Sequence, residues 1–159
     1  MRPDTESMMV SLARFFDVQL NWVVPNVSYG MNIHDGEIDL LVVTKAQYAM
    51  EVALKISRSD IRQDLNKRHC HKSSRLKCTY FAIPESLILS VDVIPSDFGI
   101  ITVTEFGLCK YHRKAKVNKS AKKLTSDELI KLGKLTMMRL WNLKESNIKG
   151  KINRISHIT

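Results

Sequence analysis

The sequence predicts an α/β fold: a β-sheet flanked by helices, followed by a C-terminal helix. Three observations lead there. Apolar runs of strand length (Ile38–Thr44, Tyr48–Ile56, Thr79–Pro84 and Phe98–Thr104) recur with turn residues between them. Segments with apolar residues three and four apart, Asp4–Phe16 and Ser57–Arg68, alternate with these runs. A capping box, Thr125-Ser126-Asp127-Glu128, opens the clearest helix of the chain.

The bulk properties fit that class. A chain of 159 residues is long enough for one domain with a substantial core, and 44% apolar with 26% charged residues is a globular composition. No apolar run approaches the ~20 residues that span a membrane, and the opening MRPDTESMM has no signal-like apolar region. Three cysteines beside seven methionines suit a reducing cytoplasm, the expected location. A net charge of +9 points to a polyanionic partner.

In order, the opening helix carries Met8, Met9, Leu12, Phe15 and Phe16 at helical spacing and takes Asp4 or Thr5 as its cap. Its Glu6 reads as a first-turn acid favoured by the helix dipole. Asn21–Tyr29 predicts a short strand ended by Pro25-Asn26, with Trp22 in the core. After the two central strands, Ser57 or Ser59 caps a helix on which Ile61 and Leu65 pack inward, while Arg58 and Arg62 look outward. Lys67–Lys77 is a basic loop, KRHCHKSSRLK, in which adjacent ligands in His69-Cys70-His71 have the wrong spacing for zinc. Glu85–Ile94 predicts a short helix, and Phe98–Thr104 and Gly107–Arg113 two more strands. Lys110–Lys123 carries seven Lys or Arg among fourteen residues and no acid, so it reads as an extended electrostatic tract that orders on phosphate. The last helix is expected to end near Leu143, with Met137, Met138 and Trp141 as core or dimer contacts and a loose basic tail after Asn147.

The chemistry concentrates in GEIDLLVVTKAQYAMEVALKISRSDIRQD, Gly36 to Asp64. Charges lie inside both apolar runs: Asp39 in the first, Glu51 and Lys55 in the second. A buried charge costs several kcal/mol unless paired or bound to metal. Side chains alternate along a strand, so Glu51, Ala53, Lys55 and Ser57 share one face, as do Glu37, Asp39 and Leu41. If Lys45-Ala46-Gln47 closes an antiparallel hairpin, Thr44 faces Tyr48, Asp39 faces Ala53, Glu37 faces Lys55 and Glu51 faces Leu41. Carboxylates gathered around a lysine suit a hard divalent cation and an activated water. A cross-strand ion pair on a half-exposed sheet is the equally open alternative.

An Asp on one strand followed by an x-x-Lys triplet on the next resembles the signature of the PD-(D/E)XK nuclease superfamily. The continuation KISRSDIRQD, then YFAIP and IPSDFGIITV, is similar to the MmcB-like branch and its phage-encoded relatives, over roughly Asn21 to Lys116. Lys55, Ser57, Asp60 and Asp64 match the K-x-S-x-x-D-x-x-x-D run of that branch. The resemblance implies a restriction-endonuclease-like core with a mixed sheet over residues 1–124, and a C-terminal helix and basic tail, residues 125–159, packed on the same domain. It implies a metal-dependent DNA endonuclease type of activity, in DNA repair or phage DNA metabolism. Mg²⁺ or Mn²⁺ would be held by Asp39, with Glu51 or Glu37 helping, and Lys55 would orient or deprotonate the attacking water.

One departure matters. The triplet is Ala53-Leu54-Lys55, so a methyl group occupies the metal-ligand position. Three readings are compatible with it: Glu51 has taken over the role, the chain is a pseudo-nuclease that binds without cutting, or an original acid at position 53 has been replaced. The expected DNA contacts are Arg58, Arg62, Lys67, Arg68, His69, His71, Lys72, Lys114 and Lys116, with the Ser57 hydroxyl beside them. No membrane partner is expected, and a homodimer through the C-terminal helix is compatible with duplex cutting.

Overall fold

The computed structural model describes residues 4–28, 33, 36–66 and 73–156, with side chains as far as residue 150. These residues form an α/β fold with a six-stranded mixed sheet flanked by helices and a C-terminal helix. The strands are β1 (Trp22–Val27), β2 (Ile38–Val43), β3 (Ala49–Leu54), β4 (Leu76–Pro84), β5 (Gly99–Val103) and β6 (Cys109–Arg113), and they lie side by side in chain order. β3, β4 and β5 run parallel to one another, and the remaining neighbours pair antiparallel. The helices are α1 (Thr5–Phe15), α2 (Arg58–Leu65), a 3-10 helix (Glu85–Val93) and α3 (Ser126–Ser156).

Each face of the sheet buries its own core. On one face, Met8 and Leu12 of α1 pack on Leu40, Val42, Val52, Leu54 and Ala82. On the other, Ile61 of α2 packs with Ala53, Phe81, Ile83 and Ile100, and Leu87 and Val91 of the 3-10 helix close over them. The parallel connections β3–α2–β4 and β4–(3-10 helix)–β5 place their helices on this second face, as crossovers between parallel strands require. The helix caps follow the sequence. The Asp4 carboxylate accepts from Ser7 N at 2.7 Å, and the Ser57 hydroxyl accepts from Asp60 N at 3.2 Å.

Several expectations need correction. β1 runs through Pro25 and Asn26 to Val27 rather than stopping there. It is an edge strand, where a missing proline N–H is tolerated, and Asn26 takes a left-handed φ of 50° that asparagine accommodates. Trp22, at the start of that edge, is 43% exposed and is not a core residue. β4 starts at Leu76, three residues before the predicted Thr79, across a register shift at Ala49/Met50. The Lys110–Lys123 tract is not an unattached connection. Its first four residues belong to β6, and the rest is tied down by Lys116 N to Asp97 O (2.9 Å), Asn118 N to Lys77 O (2.8 Å) and Leu124 N to Gln47 O (2.8 Å).

The chain divides into two compact units, Met1–Leu124 and Thr125–Thr159. The second is α3. Its capping box forms as the sequence predicts: Thr125 N donates to Glu128 Oε2 at 2.7 Å, and Glu128 N to Thr125 Oγ1 at 3.3 Å. The helix does not end near Leu143 but continues to Ser156, because Lys144, Glu145, Lys149, Lys151 and Arg154 beyond it are good helix formers and no proline interrupts them. Met137, Met138 and Trp141 are exposed, which removes the expectation that they are core. No helix of the described residues is long and apolar enough to cross a membrane.

Candidate active site

The site starts from the β2–β3 hairpin. Lys45–Gln47 forms its loop, with Gln47 N donating to Thr44 O at 2.7 Å and Thr44 N to Tyr48 O at 3.0 Å. The pairs Leu40↔Val52 and Leu41↔Glu51 follow, so the same register carries Asp39 across from Ala53. The Asp39 carboxylate does a backbone job there: its Oδ2 accepts from Leu54 N at 2.8 Å. Lys55 lies just beyond β3, and its own N–H donates to Ala82 O of β4 at 3.0 Å. Backbone anchoring on both sides therefore fixes the relation of Asp39 to Lys55.

The Lys55 ammonium sits between two carboxylates. Its Nζ is 3.1 Å from Asp64 Oδ2 and 3.9 Å from Asp39 Oδ2. Asp64 comes from the last turn of α2, which is held to the sheet by the fully buried Ile61. The pair is well inside the protein, with side chains 11% (Lys55) and 4% (Asp64) exposed, while Asp39 at 37% reaches solvent. Glu51, on the same strand face as Ala53 and two residues back, is buried, about 6–7 Å along the strand. Burial raises the Asp39 pKa above its ordinary value, the Leu54 N–H and the Lys55 ammonium hold it down, and the charges of Asp64 and Glu51 raise it further. Asp39, Glu51, Lys55 and Asp64 thus form one interacting group of charges.

Not every expected residue joins them. Glu37 is exposed, and among the described residues the ion pairs of Lys55 are with Asp39 and Asp64 instead. Glu6 lies on α1, whose buried residues pack on the opposite face of the sheet. Ala53 is 1% exposed and packs among Ile61 and Phe81. The donors present are short of a cation site: position 53 offers a methyl group, and among the described residues no group of three or more His, Cys, Asp or Glu could hold a metal ion. The implied Mg²⁺ or Mn²⁺ does not fit this set without a further ligand.

The expected nucleic-acid contacts divide into three sets. Arg58 and Arg62 are exposed on α2, beside the site, whereas the Ser57 hydroxyl is engaged as the α2 cap and with Ser59 Oγ at 3.2 Å. Lys67, Arg68, His69, His71 and Lys72 lie outside the described residues. Lys114 and Lys116 follow β6, three strands from β3 and so roughly 14 Å away across the sheet. There Lys114 Nζ stands 3.3 Å from the Tyr111 ring centroid, and Lys116 pairs with Asp97 at 3.3 Å. Sequence reasoning missed an aromatic group on the α1 face. The Tyr111 ring lies 5.0 Å from Phe15 and 5.3 Å from Tyr80, and its members come from three distant segments with no local signal.

No protein-family model and no curated protein matches the chain. Among solved structures, the fold is similar to SPO1766, a protein of unknown function from Silicibacter pomeroyi. The TM-score is 0.67 at 13% identity, over 92% of this chain and 96% of that one. The likeness extends over nearly the whole of both chains and is one of fold.

Proposed function

We propose that the chain is a DNA-binding domain of the PD-(D/E)XK nuclease type, with Asp39 and Lys55 in place and the acid of position 53 replaced by a methyl group. The observation that carries this reading is the register. It puts Asp39 opposite Ala53 while the Lys55 ammonium stands 3.9 Å from the Asp39 carboxylate at a partly open site. An ammonium has three N–H donors. Asp64 at 3.1 Å takes one, Asp39 at 3.9 Å lies beyond hydrogen-bond distance, and the remaining donors serve a phosphate oxygen or the attacking water. Charge-assisted contact of that kind is worth most where, as here, surrounding protein lowers the dielectric. The exposed Arg58 and Arg62 on α2 supply phosphate contacts beside it. Mg²⁺ or Mn²⁺ is the cofactor the reading implies once position 53 carries an acid.

A second reading has its own observation. Ala53 is packed in an apolar core, and the Lys55–Asp64 pair holds α2 to the end of β3, so the same charges serve a pure binding module. Cleavage of single- and double-stranded DNA in Mg²⁺, Mn²⁺ and EDTA separates the two. The present chain is expected to be nearly inert and Ala53→Glu to cut in a metal-dependent manner. If the present chain already cuts and Glu51→Gln abolishes the activity, Glu51 is the acting ligand. If Ala53→Glu folds and binds DNA but never cuts, the binding-module reading stands.

A further inference from the structure

A second polar feature lies on the same sheet, away from Lys55. A cleft of about 500 Å³ opens between the amino-terminal ends of β4 and β5 and the segment that follows β6. Lys77, Lys116 and Lys119 line it together with Ser73, Asn118 and Asp97. Three lysines and one aspartate among these residues give the lining a net positive charge. Its walls are built, not loose. Asn118 N donates to Lys77 O at 2.8 Å, and its side-chain amide to Leu76 O at 3.2 Å, while Lys116 N donates to Asp97 O at 2.9 Å. The Lys77 ammonium rests over the ring of Tyr48, 4.3 Å from its centroid, just outside the lining.

We infer that this cleft is a phosphate-binding subsite that takes a phosphodiester of the nucleic-acid strand, distinct from the Lys55 centre. Lysines on a fixed backbone meet the charge of a tetrahedral oxyanion and carry no base-reading geometry, while the Ser73 hydroxyl and the Asn118 amide are spent on Ile33 O, Ser74 O and Leu76 O and serve to hold the walls. The 500 Å³ volume admits a phosphate with its sugar. Its lining draws on both cores, Phe98 from the α2 face and Cys78 from the α1 face, so the cleft lies at the amino-terminal end of these strands. Lys77 precedes Ala82, the β4 partner of the Lys55 N–H, by five residues. That is roughly 16 Å along the strand, or about five base steps of B-form DNA. The residues on that line, Thr79 and Phe81, are buried, so the cleft and the Lys55 centre are separate sites. The Asp97–Lys116 ion pair at 3.3 Å competes with the phosphate, so the carboxylate weakens binding.

The inference rests on the reading that the partner is nucleic acid, and the test keeps the two apart. Binding of a fluorescein-labelled oligothymidylate and a labelled duplex is measured by anisotropy across a salt series. The probes are applied to the full chain, to Lys116→Ala/Lys119→Ala, and to the charge-matched control Lys131→Ala/Lys134→Ala on α3. Asp97→Asn completes the set. The cleft variant should bind at least tenfold more weakly at low salt. Its log–log salt slope should fall by about 0.7 on the single strand and about 0.9 on the duplex, the increment for one phosphate. The control should lose clearly less, and Asp97→Asn should bind several-fold more tightly. Equal losses in the cleft variant and the control reduce the effect to net charge and overturn the subsite. So does DNA binding that is indifferent to Lys116 and Lys119, which leaves the proposed function intact. Absence of all DNA binding overturns both. Displacement of the labelled strand by thymidine monophosphate at micromolar concentration overturns the strand in favour of a free nucleotide.

Discussion

Placing a carboxylate at position 53 has a structural cost that can be anticipated, and that cost makes Ala53→Glu informative even before cleavage is measured. Ala53 is 1% exposed and packs against Ile61 and Phe81. A glutamate there adds volume to a filled core, about 1–3 kcal/mol. It also brings a further negative charge beside Asp39, Glu51 and Asp64, with one lysine among them. An ion withdrawn from water costs several kcal/mol when unpaired. A combined loss of about 5 kcal/mol corresponds to a Tm lower by roughly 10–20 °C for a chain of this size. A divalent cation held between the introduced carboxylate and Asp39 reverses the sign of that crowding. At a hundred times its dissociation constant it returns about 2.7 kcal/mol. Calorimetric melting in EDTA, Mg²⁺ and Mn²⁺ reads this directly. Ala53→Gln is the control, because it crowds the core equally and offers no charge. The expected pattern is a metal-dependent Tm for the glutamate variant alone, accompanied by DNA cleavage. A folded Ala53→Glu protein whose Tm ignores both metals refutes the argument that Asp39 and position 53 can share a cation.

Three further outcomes follow from the same geometry. Lys55→Met removes the ammonium 3.1 Å from the buried Asp64 carboxylate and should destabilise by about 3–5 kcal/mol, whereas Lys55→Met/Asp64→Leu should cost less than the two single changes added together; additivity in urea melts would show that the pair is not coupled. The raised pKa of Asp39 means that the folded state holds its proton to higher pH than the unfolded chain, so stability falls as pH rises from the ordinary value of 3.8 through the raised one. Asp39→Asn, which can still accept from Leu54 N, should flatten that part of the stability–pH curve, and an unchanged curve would count against the burial of this carboxylate. Gly99→Ala would bring a methyl group against the Tyr80 ring and within 2.8 Å of Ala115 N, and should lower stability by about 1–3 kcal/mol in thermal melts.

The parts of this molecule that local chemistry dictates were legible in the sequence. A three-residue loop after Thr44 fixes the pairing of Thr44 with Tyr48, and strand periodicity then carries Asp39 to Ala53 without further information. The caps at Asp4, Ser57 and Thr125 are likewise local, since each joins residues three apart. What depended on tertiary context was not legible. Pro25-Asn26 reads as a stop, and only its place on an edge strand lets β1 continue. The sequence marks Asp64 as one helical turn from Asp60, but the choice of Asp64 as the partner of Lys55 comes from how α2 lies on Phe81 and its neighbours. The cleft beside Lys116 joins segments some forty residues apart, as Asn118 and Leu76 do, and no short window contains it.

The charges around Lys55 do not all need the same explanation. Asp64 and Lys55 neutralise each other at 3.1 Å and tie α2 to the end of β3, which gives both a structural reason to be there. Asp39 differs. Its backbone task, accepting from Leu54 N, is one that asparagine performs equally well, and its ionised form is disfavoured by burial and by two neighbouring carboxylates. It also stands farther from the ammonium, at 3.9 Å, and is the most exposed member of the ion-paired trio. A carboxylate that costs stability, faces solvent and contributes little to the fold is a functional-site candidate, and the proposed phosphate chemistry would use it. This sets the order expected among substitutions in the Ala53→Glu background. Asp39→Asn should abolish cleavage while leaving Tm in EDTA equal or higher, because it removes a charge the fold does not use. Glu51→Gln should matter less for cleavage. Loss of stability on Asp39→Asn, with cleavage retained, would reassign Asp39 to the scaffold and leave Lys55 without its partner in chemistry.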